Sequence, residues 1–249
     1  MAGPAYRTEA VVLRSIRLGE ADRVLHLYTE AHGRVGAVAK GVRKTKSRFG
    51  ARLEPLSHVE LVLHRGRGEL ETVTAAQLVR SHREAREDYY RFSVAMIAAE
   101  AMLRLFTEEE ANERAFTAVT RFLDLLDRSP HAADRPTLDP LGLAFQLKLL
   151  WLAGYLPHVT ACAECSAERE PLVGYSPRAG GTVCARCAPA TEALALAPDG
   201  IAGIEALLAR PLADAPGLGL SERARRDALL VITASYEYHG GFRLRTLSA

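Results

Sequence analysis

The absences in this sequence narrow the field first. No apolar run approaches the roughly 18 residues that a membrane-crossing helix needs. The most apolar stretch, Leu141 to Leu156, is interrupted by Gln146 and Lys148 and reads as a buried central helix. The opening Met-Ala-Gly-Pro-Ala-Tyr-Arg lacks the apolar region of a secretory leader, so a cytoplasmic protein is expected. Catalytic signatures are missing too: there is no GxxxxGK[ST], no GxSxG, no HExxH and no acidic cluster spaced for magnesium. No enzyme is expected. Glu108-Glu109-Glu110 reads as the start of a helix, where carboxylates favour the dipole. Cysteine is scarce, with four residues in 249, and in a cytoplasmic protein these should be reduced or metal-bound rather than bridged. An excess of one charge is also lacking, because the formal net charge is only +2.

What is present is ordinary globular composition, 48% hydrophobic and 25% charged, which excludes wholesale disorder. The length allows one large domain or two to three small ones. The charge is unevenly spread. Residues 1–80 hold fourteen Lys and Arg against eight Asp and Glu, whereas residues 81–157 and 158–249 are slightly acidic.

The first 80 residues read as all-β. Apolar, β-branched runs recur at Ala10–Ile16, Val24–Tyr28, Val35–Val42, Val59–Leu63 and Leu70–Val73, separated by turn residues such as Leu18-Gly19-Glu20 and Ala31-His32-Gly33. Five short strands suit a small closed barrel, either an OB-fold or an SH3-like barrel. From about Glu84 the period changes to three and four. Tyr89, Phe92, Met96, Ala99, Leu103 and Phe106 mark one helix face, and Phe116, Val119, Leu123 and Leu126 a second. Asp139-Pro140 pairs an N-cap with a first-turn proline, and Asp199 and Ser221 read as N-caps of helices over Ile201–Leu208 and Glu222–His239. Gly240-Gly241 stops the last. Arg128–Pro136 and Pro211–Gly219 read as linkers.

Cys162-Ala-Glu-Cys165 and Cys184-Ala-Arg-Cys187 are separated by eighteen residues. Each pair supplies two thiolates at bite distance, and a spacer holding Gly174, Pro177, Gly180 and Gly181 suits a hairpin that brings the pairs together around one structural Zn²⁺. Four thiolates saturate the metal and leave no position for substrate. Ser166 and Ala188 stand where zinc knuckles usually carry glycine, and His158 is not taken as a ligand.

Between Glu30 and Glu54 there is no carboxylate, but seven cations: Arg34, Lys40, Arg43, Lys44, Lys46, Arg48 and Arg52. Such a segment on the rim of a small barrel makes a groove for phosphate backbones. Tyr6, Tyr28 and Phe49 are the only aromatics of the basic third, so backbone-led, salt-sensitive and weakly sequence-selective binding is expected. A zinc-containing RNA-binding or transcription or translation accessory factor would share these features.

Glu9-Ala-Val-Val-Leu-Arg, Gly19-Glu20, Thr29, Gly33, Lys40-Gly41-Val42-Arg43 with Ser47, and Gly68-Glu-Leu70 together resemble the N-terminal domain of the bacterial RecO family of recombination mediators. Leu156-Pro157 and the cysteine segment are similar to that family's zinc-binding insertion. The resemblance implies an α+β multidomain chain: an N-terminal OB-fold β-barrel over residues 1–80, an α-helical domain over 81–157 and 193–249, and an inserted four-cysteine zinc-binding motif over 158–192. It implies DNA repair by binding single- and double-stranded DNA, annealing complementary strands, and loading RecA with RecR onto strands coated by single-strand-binding protein. A contact with the C-terminal tail of that protein is also implied, and a groove near Arg121 or Lys148 is one candidate place for it. Arg34, Lys40, Arg43, Lys44, Lys46 and Arg48 are the DNA contacts it implies, in a nucleoid-associated protein.

Overall fold

Alternation of apolar and polar residues sets the first five strands, β1 (Ala5–Leu18), β2 (Asp22–Thr29), β3 (Gly33–Ala39), β4 (His58–His64) and β5 (Glu71–Arg80). In this computed structural model, which describes residues 5–47, 49–66, 68–107, 110–168 and 170–247, they close into a barrel of order β1-β2-β3-β5-β4. All neighbours are antiparallel except β3 and β5. This is the OB-type barrel. Every second residue of β3 and β4 is buried, and Val12, Leu25, Leu27, Val35, Leu61 and Leu63 are among those filling the interior.

Two departures from the sequence expectation matter. β1 is twice as long as the apolar run Ala10–Ile16: it starts at Ala5, pairing there with β4, and past a bulge between Val12 and Arg14 it pairs with β2 as far as Leu18. β3 stops at Ala39 rather than Val42, because Gly41 turns the chain at φ 67° and its N–H donates to the Asp22 carboxylate at 2.7 Å.

The chain divides into two compact units, residues 1–128 and 129–249, and the break falls at the start of the proline-bearing segment that reads as a linker. The first unit holds the barrel with α1 (Arg83–Glu87), α2 (Tyr89–Leu105) and α3 (Glu113–Leu126). These helices pack on the outside of the barrel. Phe106 meets the buried Tyr28 ring edge-on at 5.5 Å, and Phe116 meets His58 at 5.6 Å. Glu110 of the acidic run lies outside any helix: α3 opens at Glu113 behind Asn112, whose side chain accepts from the Ala115 N–H at 2.9 Å. Glu108 and Glu109 lie outside the described residues.

In the second unit α4 (Pro140–Leu152) is apolar on nearly every side and central, as its sequence demands. It is capped by Asp139, which accepts from the Gly142 N–H at 3.0 Å. Around it lie β6 (Leu172–Ser176), β7 (Gly181–Cys184), β8 (Leu194–Ala195), α5 (Pro198–Ala209) and α6 (Glu222–Gly240). Ser221 caps α6 and Gly241, at φ 67°, ends it. Asp199 is not a cap: Pro198 opens α5, and the Asp199 carboxylate instead accepts from the Ser221 hydroxyl at 2.7 Å. Pro211–Gly219 is no open linker, since Leu212–Gly217 forms a 3₁₀ turn that buries Ala215. Among the described residues no helix is long and apolar enough to cross a membrane.

Candidate metal centre and nucleic-acid interface

The spacer between the cysteine pairs folds as its glycines predict. β6 and β7 form a hairpin whose turn has Gly180 at φ 77°, with its N–H donating to the Pro177 carbonyl at 3.1 Å. Leu172 therefore pairs with Cys184, and the second cysteine pair returns beside the first. The four Sγ atoms lie within 4.8 Å of one another, with Cys165 and Cys184 3.9 Å apart. A tetrahedral thiolate site with bonds of about 2.3 Å requires sulfur separations of roughly 3.8 Å. The donor set fits a metal ion. His158 is outside it: it is exposed and engages Gly180 and Thr182 through its backbone.

Burial opposes ionisation of Cys162, but backbone N–H groups of Cys184, Cys165 and Glu164 outweigh it and bring that thiol down to about 6. Burial and the neighbouring thiols push Cys187 up to about 12. The protein thus supports a thiolate at Cys162, while Cys184 and Cys187 resist ionisation, and a divalent cation held by the four sulfurs would favour the thiolate of each. The guanidinium of Arg186 donates to Cys165 Sγ at 3.6 Å and pairs with Glu170 at 3.3 Å, placing positive charge on the outside of the cluster. Ser166 adopts φ 57° in place of the usual glycine, and its N–H donates to the Cys162 carbonyl at 2.8 Å. Ala188 keeps an ordinary helical-sense bond, donating to the Cys184 carbonyl at 2.9 Å.

The basic segment leaves β3 as a chain of turns held against the β1–β2 turn. The Arg43 N–H donates to the Ala21 carbonyl at 2.9 Å, its guanidinium reaches the Gly19 carbonyl at 3.4 Å, and the Lys44 and Ser47 N–H groups close the following turns. Lys40, Arg43, Lys44 and Lys46 are all exposed, and none of them forms an ion pair among the described residues. Arg34 has a different setting. It lies half-buried on β3 opposite Tyr28, and its guanidinium donates to the Leu103 carbonyl at the end of α2. Arg48 lies outside the described residues. Arg14 and Arg17, which sequence reasoning did not single out, are exposed on the β1 extension without an ion pair among the described residues. Their only sequence signal was an apolar strand that turns polar before its turn.

Arg121 is exposed on α3 of the first unit. Lys148, on α4 of the second, donates from Nζ to the Leu208 carbonyl at 2.8 Å, and burial lowers its pKa. It lines a cavity of about 520 Å³ with Trp151, Leu156, Val159 and Glu205.

Two family models match the chain, "Recombination protein O N terminal" over residues 1–82 and "Recombination protein O C terminal" over residues 86–248. Among curated proteins, the DNA repair protein RecO of Rubrobacter xylanophilus is 40% identical over 227 residues, covering 89% of this chain and 88% of its own length. The DNA repair protein RecO of Frankia casuarinae is 39% identical over 253 residues, covering 98% and 97%.

Proposed function

We propose, from the premise that the chain belongs to the recombination protein O family and so serves DNA repair, that it is a non-enzymatic recombination mediator. It binds single- and double-stranded DNA, anneals complementary strands, and with RecR helps load RecA onto single strands coated by single-strand-binding protein. The observation that carries this reading is the set of four exposed cations, Lys40, Arg43, Lys44 and Lys46, pinned to the β1–β2 turn without carboxylate partners among the described residues. Cations left unpaired by their own protein are available to phosphates, and by screening phosphate repulsion they let two strands approach. Arg34, at the opposite end of β3, and Arg48 are proposed as further DNA contacts.

Residues 1–80 act as the DNA-binding domain, 81–157 and 193–249 as the helical domain, and 158–192 as the zinc motif. Cys162, Cys165, Cys184 and Cys187 hold one structural Zn²⁺, which supplies folding energy rather than chemistry. The acidic tail of single-strand-binding protein docks in the second unit, a placement supported by the apolar cavity beside Lys148. The protein works in the cytoplasm at the nucleoid.

The decisive experiment is strand annealing on DNA coated with single-strand-binding protein, with zinc measured on the same sample. Simultaneous charge reversal at Lys40, Arg43, Lys44 and Lys46 should abolish DNA binding and annealing while leaving the fold and zinc content intact. Unaltered binding by that variant would refute the phosphate groove.

A further inference from the structure

The four cysteines are not equally open. Cys162 and Cys184 are buried and form the small core of their segment with Val183, and the half-buried Cys187 packs against that core. Cys165 is the exposed member, and its neighbours Glu164 and Ser166 are exposed as well. The difference has a local cause. Cys184 ends β7, where pairing with Leu172 across the hairpin encloses it. Cys165 instead ends the first knuckle just where Ser166 turns the chain at φ 57°. A solute arriving from water therefore meets Cys165 first.

Two neighbours give this exposed sulfur a chemistry of its own. The Arg186 guanidinium donates from Nη2 to Cys165 Sγ at 3.6 Å, and the same nitrogen pairs with Glu170 at 3.3 Å. Cys184 Sγ, itself shielded from water, lies 3.9 Å from Cys165 Sγ. Exposure and thiolate character together select a cysteine for oxidation. A metal-bound sulfur is already a thiolate, so a cation beside it adds no ionisation. The hydrogen bond only withdraws electron density and makes the sulfur a poorer nucleophile. We infer that Cys165 is the hydroperoxide-sensitive residue of this protein, that Cys184 resolves it as a disulfide, and that Arg186 restrains the first step. The inference rests on the reading that the four cysteines hold one metal ion, and it adds how that site is opened. In the first step the Cys165 thiolate attacks one oxygen of the hydroperoxide. An S–O bond forms, the O–O bond breaks, and the leaving oxyanion takes a proton from water. Sulfur has given two electrons to the peroxide and is left as a sulfenic acid. The Cys184 thiolate then attacks that sulfur; an S–S bond forms, the S–O bond breaks, and hydroxide leaves and is protonated to water. Two of the four donors are consumed, and Cys162 and Cys187 alone do not complete a four-coordinate site.

The test exposes the metal-loaded full chain to a fixed excess of hydrogen peroxide and follows metal release with a chromogenic chelator. Parallel short exposures are labelled with dimedone, which captures sulfenic acids, or mapped for disulfides by peptide mass spectrometry. The label should fall on Cys165, the first disulfide should join Cys165 to Cys184, and dithiothreitol with added metal should restore the loaded chain. Arg186→Ala should release metal about three- to tenfold faster than wild type, with Arg186→Lys between the two. Cys165→His keeps four donors of a zinc-binding kind, so it should retain metal and resist peroxide. If that variant loses its metal, the Arg186 variants decide, because they alter no donor. A first label on Cys162, Cys184 or Cys187, or a first disulfide of any other pair, overturns the inference. So does release from Arg186→Ala no faster than from wild type, or a loaded wild-type chain that peroxide leaves intact. Wild-type protein that holds no metal at all would defeat the metal reading itself, an outcome distinct from all of these.

Discussion

Ser166 shows how much one residue's backbone decides in the cysteine segment. It adopts φ 57°, a region that costs a residue with a Cβ about 1 kcal/mol, so that its N–H can meet the Cys162 carbonyl. Ser166→Gly should therefore raise the unfolding free energy of the metal-loaded chain by up to ~1 kcal/mol, offset in part by the greater freedom of glycine when unfolded. Chemical denaturation checks it, and a lower midpoint would contradict it. Gly33 is the opposite case. Its φ is 62° and a Cβ there would lie 2.1 Å from the Glu110 carbonyl oxygen. Gly33→Ala should cost about 2–4 kcal/mol, visible as a lower denaturation midpoint. The two positions differ in legibility. Gly33 stands out in the sequence as a turn glycine, but its clash partner is far along the chain, beyond α2. The departure from glycine at 166 is visible at once, yet only the backbone shows that the conformation survives it. Arg34 and Lys40 count equally in a charge tally, and only their surroundings separate a guanidinium bound to a carbonyl from an open ammonium.

Among the elements, periodicity located nearly everything and erred where tertiary bonds overrode local preference. α2, α3, α4 and α6 begin and end close to where their caps and apolar steps put them. Asp139→Ala should destabilise the second unit by about 1 kcal/mol through loss of its bond to the Gly142 N–H, measured by thermal or denaturant unfolding. Asp199 carries the same cap signal but is used elsewhere, because Pro198 already opens α5 and the Ser221 hydroxyl takes the carboxylate. β1 was under-read for a different reason. Arg7, Thr8 and Glu9 break the apolar pattern, so the strand reads as starting at Ala10, yet Ala5–Glu9 already pairs with β4.

For the molecule as a whole, two outcomes separate the roles assigned to metal and charge. Cys184→Ala, or treatment with a chelator, should lower stability and solubility far more than DNA affinity per folded molecule, since bonds from the thiolates to a metal ion are folding energy. Comparing melting with titrations on the soluble fraction checks this. A stable, metal-free variant with lost DNA binding would instead place the cysteine segment on the DNA. If about five phosphates are neutralised by the basic loop, single-strand affinity should fall with salt at a log–log slope of roughly −3 to −4. A slope near zero would remove the electrostatic basis of the binding.

The sequence by itself determined a small five-stranded barrel, the order of helices, the pairing of the two cysteine knuckles and the stretch of cations without carboxylates, and left the barrel's strand order to the fold. These follow from local rules: side-chain periodicity, caps, turn glycines and ligand spacing act over a few residues or across one hairpin. Only the tertiary structure decided which cations stay open, where β1 begins and ends, and that Asp199 is no cap. Each of these depends on a partner far along the chain, such as the Leu103 carbonyl for Arg34 or Phe106 for Tyr28. A contact between distant residues leaves no periodic trace in either segment alone.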